Sequence, residues 1–226
     1  MLGLSPIDSK KIRRKLVMYY SEKEKWAFIH IPKNAGTTLI SHALRGRGKH
    51  SRPLFEGKGN GSPHHNKYSF FEKHGLVKDK EVFAIVRNPW SRALSLYLFT
   101  IKHCQVENHR HHAELTQQGF KNSWMEGGFF MKEDKQTTSL RQWCNRDTQI
   151  SWLRDRDGKI AADWYRMEDQ LMDVEKKYNC DMSAKVERTA TDHGHYSMYY
   201  DDELKARIAE LYAEDIEIFG YSFDKK

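Results

Sequence analysis

Pro32-Lys33-Asn34-Ala35-Gly36-Thr37-Thr38 gathers in one short stretch the groups that hold an oxyanion. Gly36 lets the backbone approach a phosphate oxygen with no Cβ in the way. Thr37 and Thr38 add hydroxyl donors and can cap a following helix. Lys33 brings a mobile point charge. A second cluster, Arg87-Asn88-Pro89-Trp90-Ser91-Arg92-Ala93-Leu94-Ser95, offers a guanidinium fork at Arg87 and a hydroxyl at Ser95, again a pair suited to an anion. Each cluster also has a plainer reading. The first can be a generic strand-to-helix turn with a surface lysine, the second an arginine paired with a carboxylate beside a packed serine. The first string is not the ordinary Walker loop GxxxxGK[ST], because its lysine precedes the glycine.

The elements around these clusters place them. Trp26–Ile31 (WAFIHI) is a short apolar run of strand formers that stops at Pro32. Leu39, Ile40, Ala43 and Leu44 then follow at helical spacing, so the pattern is strand, tight loop, helix. Glu81–Arg87 (EVFAIVR) is nearly continuous in apolar residues, as a strand buried on both faces should be. Asn88-Pro89-Trp90 breaks it, and Leu94, Tyr97, Leu98 and Ile101 form a helical stripe beyond. Both candidate anion loops therefore join a strand's C-terminal end to a helix N-terminus, where free N–H groups and the helix dipole favour negative charge.

The remaining periodicities predict a short helix over Asn66–His74 ending at Gly75, a helix over Thr138–Asn145, and a strand over Lys159–Arg166. A helix should run from Glu168 to Tyr178, and an amphipathic one over Asp201–Ile216 with Leu204, Ile208, Leu211 and Tyr212 on one face. Residues 45–64, rich in Gly, Lys, Arg and His, read as a loop, and the middle section 103–135 is polar, His-rich and Gly-rich. Strands alternating with helices predict an α/β domain with a mainly parallel sheet. Residues 1–25, mostly polar, read as an N-terminal arm or short helix ahead of one domain over 26–226.

Composition narrows the class. With 226 residues, 38% hydrophobic and 31% charged, the chain has material for one sizeable core and reads as soluble and globular. A net charge of +7 points to anionic ligands without choosing among nucleotide, nucleic acid, acidic glycan and membrane. The N-terminus carries charge where a signal peptide needs an apolar stretch, and no run of about 18 apolar residues occurs. Cys104, Cys144 and Cys180 are odd in number and widely spaced, so neither a disulfide framework nor a CxxC metal pair is implied. The expected location is a reducing cytoplasm, in a bacterial or viral rather than a Golgi setting.

Pro-Lys-x-x-Gly-Thr-Thr followed by Arg-Asn-Pro-x-x-Arg-x-x-Ser resembles the two signatures of the sulfotransferase family, and is most similar to its carbohydrate-type branch, sulfotransferase family 2. Gln149-Ile150-Ser151-Trp152-Leu153, Arg166-Met167-Glu168, Tyr199-Tyr200-Asp201, Tyr212-x-x-Asp215 and Phe219-Gly220-Tyr221-x-Phe223 are similar to later segments of that branch, so the likeness runs over residues 26–223. The resemblance implies a P-loop-NTPase-like three-layer fold, with a central, mainly parallel sheet flanked by helices. It implies transfer of a sulfuryl group from 3′-phosphoadenosine 5′-phosphosulfate (PAPS) to an acceptor hydroxyl, with a glycan or another hydroxyl-bearing molecule as acceptor and adenosine 3′,5′-bisphosphate as product. Pro32, Lys33, Asn34, Ala35, Gly36, Thr37 and Thr38 would hold the 5′-phosphosulfate, with Lys33 neutralising the bridging oxygen. Arg87 and Ser95 would anchor the 3′-phosphate. The branch often places a histidine ahead of the second motif; His65, with His64 beside it, has that position and suits a general base. No metal enters this scheme. The histidine-containing middle section matches no segment of the family.

Two rival readings remain at the level of sequence. A P-loop-like nucleotide kinase would want a Walker lysine and a metal-binding carboxylate at the end of the second strand, and neither is visible. A non-enzymatic nucleic-acid-binding module would draw on the net charge and the run Lys10-Lys11-Ile12-Arg13-Arg14-Lys15, but would not need the paired loops. His103, His109, His111 and His112 with Cys104 have zinc-type ligands in a spacing that matches no zinc pattern, and read as a solvated loop. Asp192-His193-Gly194-His195-Tyr196 corresponds to a segment lying near the nucleotide in the family. Trp124, Trp143, Trp152 and Trp164 read as core or acceptor-pocket walls.

Overall fold

The computed structural model describes residues 18–50, 65–106, 116–125, 146–182 and 194–223. Five strands form one sheet in the order β3-β1-β2-β4-β5: β1 (Tyr19–Ser21), β2 (Trp26–Ile29), β3 (Lys49–His50), β4 (Glu81–Val86) and β5 (Asp163–Arg166). β2, β4 and β5 run parallel, with Phe28 opposite Phe83 and Ala84 opposite Trp164. β1 joins β2 as an antiparallel hairpin, and β3 extends that edge antiparallel to β1.

Alternation along the buried strands splits the core into two layers. Ala27, Ile29, Val82, Ala84 and Val86 face one side, where they pack with Phe71 of α2 (Tyr68–Lys73), Ile150, Trp152 and Leu153 around α5 (Ile150–Leu153), and Phe219 of α8 (Ala213–Phe219). Trp26, Phe28, Phe83 and Ile85 face the other, against Leu39 and Leu44 beyond α1 (Gly36–Thr38) and Val174 and Tyr178 of α6 (Leu171–Tyr178). Helices thus cover both faces, giving the expected three layers. A third cluster joins α3 (Pro89–Val106), α4 (Gln117–Met125) and α7 (Asp202–Leu211) through Leu94, Tyr97, Phe120, Trp124, Leu204 and Ile208.

Several boundaries depart from the sequence reading. Tyr19–Ser21, read as part of an arm, is a sheet strand; Lys49–His50, read as loop, is another. The strand expected over Trp26–Ile31 ends at Ile29, where the Ile31 N–H turns back to the Ile29 carbonyl. The strand expected from Lys159 starts at Asp163, because Ile160 bridges Arg154 instead. The helix expected from Glu168 starts at Leu171, after a turn over residues 167–169 in which the Met167 N–H still donates to the Val86 carbonyl at 2.8 Å, extending the sheet pairing. The helix expected over Asp201–Ile216 breaks at Tyr212 (φ −120°), which is buried, and resumes as α8 with Asp215 turned inward. The short helix over Tyr68–Lys73 does end at Gly75, in the left-handed region (φ 69°) that glycine reaches without a Cβ penalty. The expected helix at Thr138–Asn145, residues 1–17, His64, the His109–His112 cluster, Trp143 and Asp192-His193 lie outside the described residues.

Candidate active site

The first loop leaves β2 and turns sharply. Lys33 (φ 70°) and Ala35 (φ 57°) both adopt the left-handed region, an uncommon pair for residues that carry a Cβ. α1 then begins at Gly36, and the N–H groups of its first turn have no intrahelical acceptor by position. The helix widens at once into a π-helix over Leu39–Ala43, closed by the Leu44 N–H on the Leu39 carbonyl at 2.8 Å. Gly36 is required by a neighbour: a Cβ there would lie 2.0 Å from Cδ2 of His30. The Lys33 ammonium lies over the ring of Phe99 on α3, 4.2 Å from its centroid.

The Asn34 side chain is buried and donates from Nδ2 to the Ile85 carbonyl at 2.9 Å and to Oε1 of Gln149 at 2.6 Å. What Asn34 can offer an anion is its backbone.

The second loop follows β4, the parallel neighbour of β2, so both loops emerge at the same end of the sheet. Asn88 caps α3, its Oδ1 accepting from the N–H groups of Trp90 (3.1 Å) and Ser91 (3.3 Å), and Pro89 takes the first helical position. Arg87 is half-buried. Its Nε donates to Oγ of Ser91 at 2.9 Å and its Nη1 to the Lys33 carbonyl at 3.3 Å, so a guanidinium from the second loop touches the backbone of the first. Burial pushes the Arg87 pKa down from the ordinary arginine value, with Glu168 opposing, and the group stays a cation. Ser95 is buried one helical turn beyond Ser91, on the same face of α3.

A family model described as the sulfotransferase family matches residues 17–222. The chain belongs to the sulfotransferase family. Comparison with curated proteins and with solved structures finds no significant match. The match begins ahead of β1 and ends within the C-terminal tail, so both loops and the whole sheet of this sulfotransferase fall inside it.

His65 stands at the root of the first loop of the sulfotransferase. Its Nδ1 lies 2.7 Å from the His30 carbonyl, and the rings of His30 and His65 are 4.2 Å apart. A carbonyl only accepts, so Nδ1 carries the proton and Nε2 the lone pair. His30, which the sequence reading passed over, fills the space between Gly36 and His65.

Other residues also shape the site; of these Gln149, Arg92, Glu168 and Asp215 stand in the family-like segments of the sequence without a role assigned there. Gln149 is fully buried; its Oε1 accepts from the Arg87 N–H at 2.9 Å and its Nε2 donates to the Arg87 carbonyl at 2.8 Å. Asp215, also fully buried, accepts from the N–H groups of Gln149 (2.7 Å) and Ile150 (2.8 Å). Burial raises the Asp215 pKa, against the pull of those two donors and of Arg92. Arg92 is buried and donates to the carbonyls of Pro32 (3.3 Å) and Asp147 (3.1 Å). Glu168 accepts from the Asn88 N–H at 2.8 Å and from the Tyr221 hydroxyl at 2.9 Å. Ser91 was legible in principle too, as the residue four after Arg87 at a strand-to-helix junction.

Proposed function

We propose that this sulfotransferase takes its sulfuryl group from 3′-phosphoadenosine 5′-phosphosulfate and delivers it to a carbohydrate hydroxyl, with His65 as general base. The observation that carries the reading is the 3.3 Å contact between Nη1 of Arg87 and the Lys33 carbonyl. It sets two cationic loops side by side at the ends of adjacent parallel strands, as a ligand with two separated phosphates requires.

The first-turn N–H groups of α1 and the hydroxyl of Thr37 suit the 5′-phosphosulfate, and Arg87 with Ser95 suits the 3′-phosphate. Lys33 leaves Phe99 to meet the bridging oxygen, where negative charge grows as the S–O bond breaks. The acceptor oxygen forms the new bond to sulfur and gives its proton to Nε2 of His65, and adenosine 3′,5′-bisphosphate leaves. Positioning and charge stabilisation supply most of the acceleration in a loose transfer of this kind. The carbohydrate acceptor is supported by the likeness of both loop signatures to the carbohydrate-type branch.

Thermal-shift titration with adenosine 3′,5′-bisphosphate, magnesium ATP and oligonucleotides separates this reading from a kinase or a nucleic-acid binder. Selective stabilisation by the bisphosphate without added metal is the expected result; a larger shift with magnesium ATP or with oligonucleotide would overturn it. Transfer of label from radiolabelled donor to a panel of glycans, with other hydroxyl compounds as controls, tests the acceptor class.

A further inference from the structure

Gln149 and Asp215 are fully buried polar side chains outside both anion loops, and such groups are tolerated only when each finds a partner. Their partners are the loops themselves. The side-chain amide of Gln149 faces the Arg87 peptide as a strand neighbour would, one N–H···O bond in each direction, beyond the last residue of β4. The same Oε1 accepts from Asn34 in the first loop at 2.6 Å. One amide group therefore ties residue 34 to residue 87. The backbone of Gln149 is anchored in turn by the Asp215 carboxylate, which also accepts from its Nε2 at 3.3 Å.

We propose that Gln149, seated on Asp215, is a positioning residue that fixes the distance between the two anion loops and so makes the site select adenosine ligands bearing two phosphates over those bearing one. This rests on the reading of the loops as sites for the 5′ and 3′ groups of one nucleotide. A ligand that grips two sites gains over one that grips a single site because its second contact is intramolecular. That gain depends on the span being held, and it is lost when the two sites drift relative to one another. The direct contact between Arg87 and the Lys33 carbonyl is one long hydrogen bond, whereas the amide clamp supplies three shorter ones from a single planar group. A side chain that merely packs would weaken every nucleotide alike.

Calorimetric titration of the full chain with adenosine 3′,5′-bisphosphate, adenosine 5′-monophosphate and adenosine 3′-monophosphate tests this, comparing the unmodified protein with Gln149→Glu and Gln149→Met. Glutamate keeps the acceptor and loses the donor; methionine keeps the volume and loses both. The preference for the bisphosphate over either monophosphate is expected to fall by at least ~10-fold in the variants, with monophosphate affinities changed by no more than about 3-fold. A uniform loss for all three ligands, or an unchanged preference, overturns the positioning role. Should neither variant melt cooperatively, Asn34→Ala, which cuts the first-loop arm of the clamp together with the Asn34–Ile85 bond and leaves both Gln149–Arg87 bonds in place, is read by the same criterion. An unmodified protein with no preference for the bisphosphate would instead remove the two-phosphate reading of the loops, and this proposal with it.

Discussion

At Gly36 the site has no room for one more carbon. The imidazole of His30 occupies the position a Cβ would take, at 2.0 Å, and is itself tilted against the His65 ring with centroids 4.2 Å apart. Gly36→Ala must therefore push a ring that touches the proposed base, while the loop backbone loses its closest approach to an anion. Bisphosphate affinity and turnover should fall together, turnover by at least ~10²-fold, on the scale of losing a transition-state donor. Calorimetry with steady-state rates checks it, and near-normal turnover would show that His30 can move aside without consequence. Lys33→Ala and Arg87→Ala should each cost a similar factor in rate, for different reasons. In the proposed reaction Lys33 meets charge that appears during transfer, so its loss should lower kcat more than affinity; Arg87 touches the Lys33 carbonyl and is proposed to grip the 3′-phosphate, so its loss should weaken binding first. The site residues legible from sequence were those clustered with other anion-holding groups in one short stretch: Lys33, Gly36, Thr37 and Arg87. Gln149 and Asp215 were visible as members of family-like segments but their role was not, because their partners lie 62 and 66 residues away and nothing local marks a buried amide that pairs with a distant backbone.

Helix α7 shows how element ends are held and how far they could be read. Asp201 caps it, Oδ1 accepting from the Leu204 N–H at 2.8 Å while Oδ2 meets Lys121 of α4 at 2.8 Å. The hydrogen bond from Lys121 and that from the Leu204 N–H hold the Asp201 pKa below the ordinary carboxylate range. A carboxylate whose folded pKa is depressed contributes stability that is present above its unfolded pKa and lost as pH falls through the folded value. Asp201→Ala should cost about 1 kcal/mol at neutral pH through the lost cap, the exposed ion pair adding little. The gap between variant and unmodified protein should narrow on acidification below the usual aspartate range. Urea denaturation at neutral and acidic pH measures both; a gap independent of pH would deny the carboxylate its role. Elements with strong period were legible, β2 and β4 as unbroken apolar runs and α3 with Asn88-Pro89 at its head. The β1–β2 hairpin was not, since its turn, Glu22-Lys23-Glu24-Lys25, carries none of the usual glycine or asparagine signals and Lys25 takes the left-handed conformation itself (φ 58°). Nor was the break at Tyr212, which is set by where Asp215 must reach and not by any helix-breaking residue.

The chain closes on itself at the second loop. Asn88, which caps α3 just past Arg87, donates from Nδ2 to the Ser222 carbonyl at 3.0 Å, and its own N–H is held by Glu168, which also accepts from the Tyr221 hydroxyl. Phe223 packs edge-on against Trp90 and beneath the Lys205 ammonium. Residues 221–223 thus pack behind the second loop, and the stretch from β5 to the tail is bound to residues 88–90 without any covalent neighbour in common. Burial first, and then the adjacent Glu168 carboxylate, raise the Tyr221 pKa, so the phenol stays a donor at neutral pH. Removing residues 221–226 deletes three hydrogen bonds worth about 1 kcal/mol each, from the Tyr221 hydroxyl to Glu168, from Asn88 to the Ser222 carbonyl and from the Tyr221 N–H to the Ile216 carbonyl, and the edge-on contacts of Phe223 with Trp90, Tyr196 and Tyr200. A loss of at least ~3 kcal/mol is a large share of a stability of roughly 5–15 kcal/mol. Tyr221→Phe removes one of those bonds and should cost about 1 kcal/mol. Because the tail supports the loop that holds Arg87, the truncated chain should also bind adenosine 3′,5′-bisphosphate more weakly, and saturating ligand should recover less of its melting temperature than it adds to the intact protein. Melting curves with and without the bisphosphate decide this. If the truncated chain melts lower but gains as much from the ligand as the intact one, the tail supports the fold alone and the second loop keeps its shape without it.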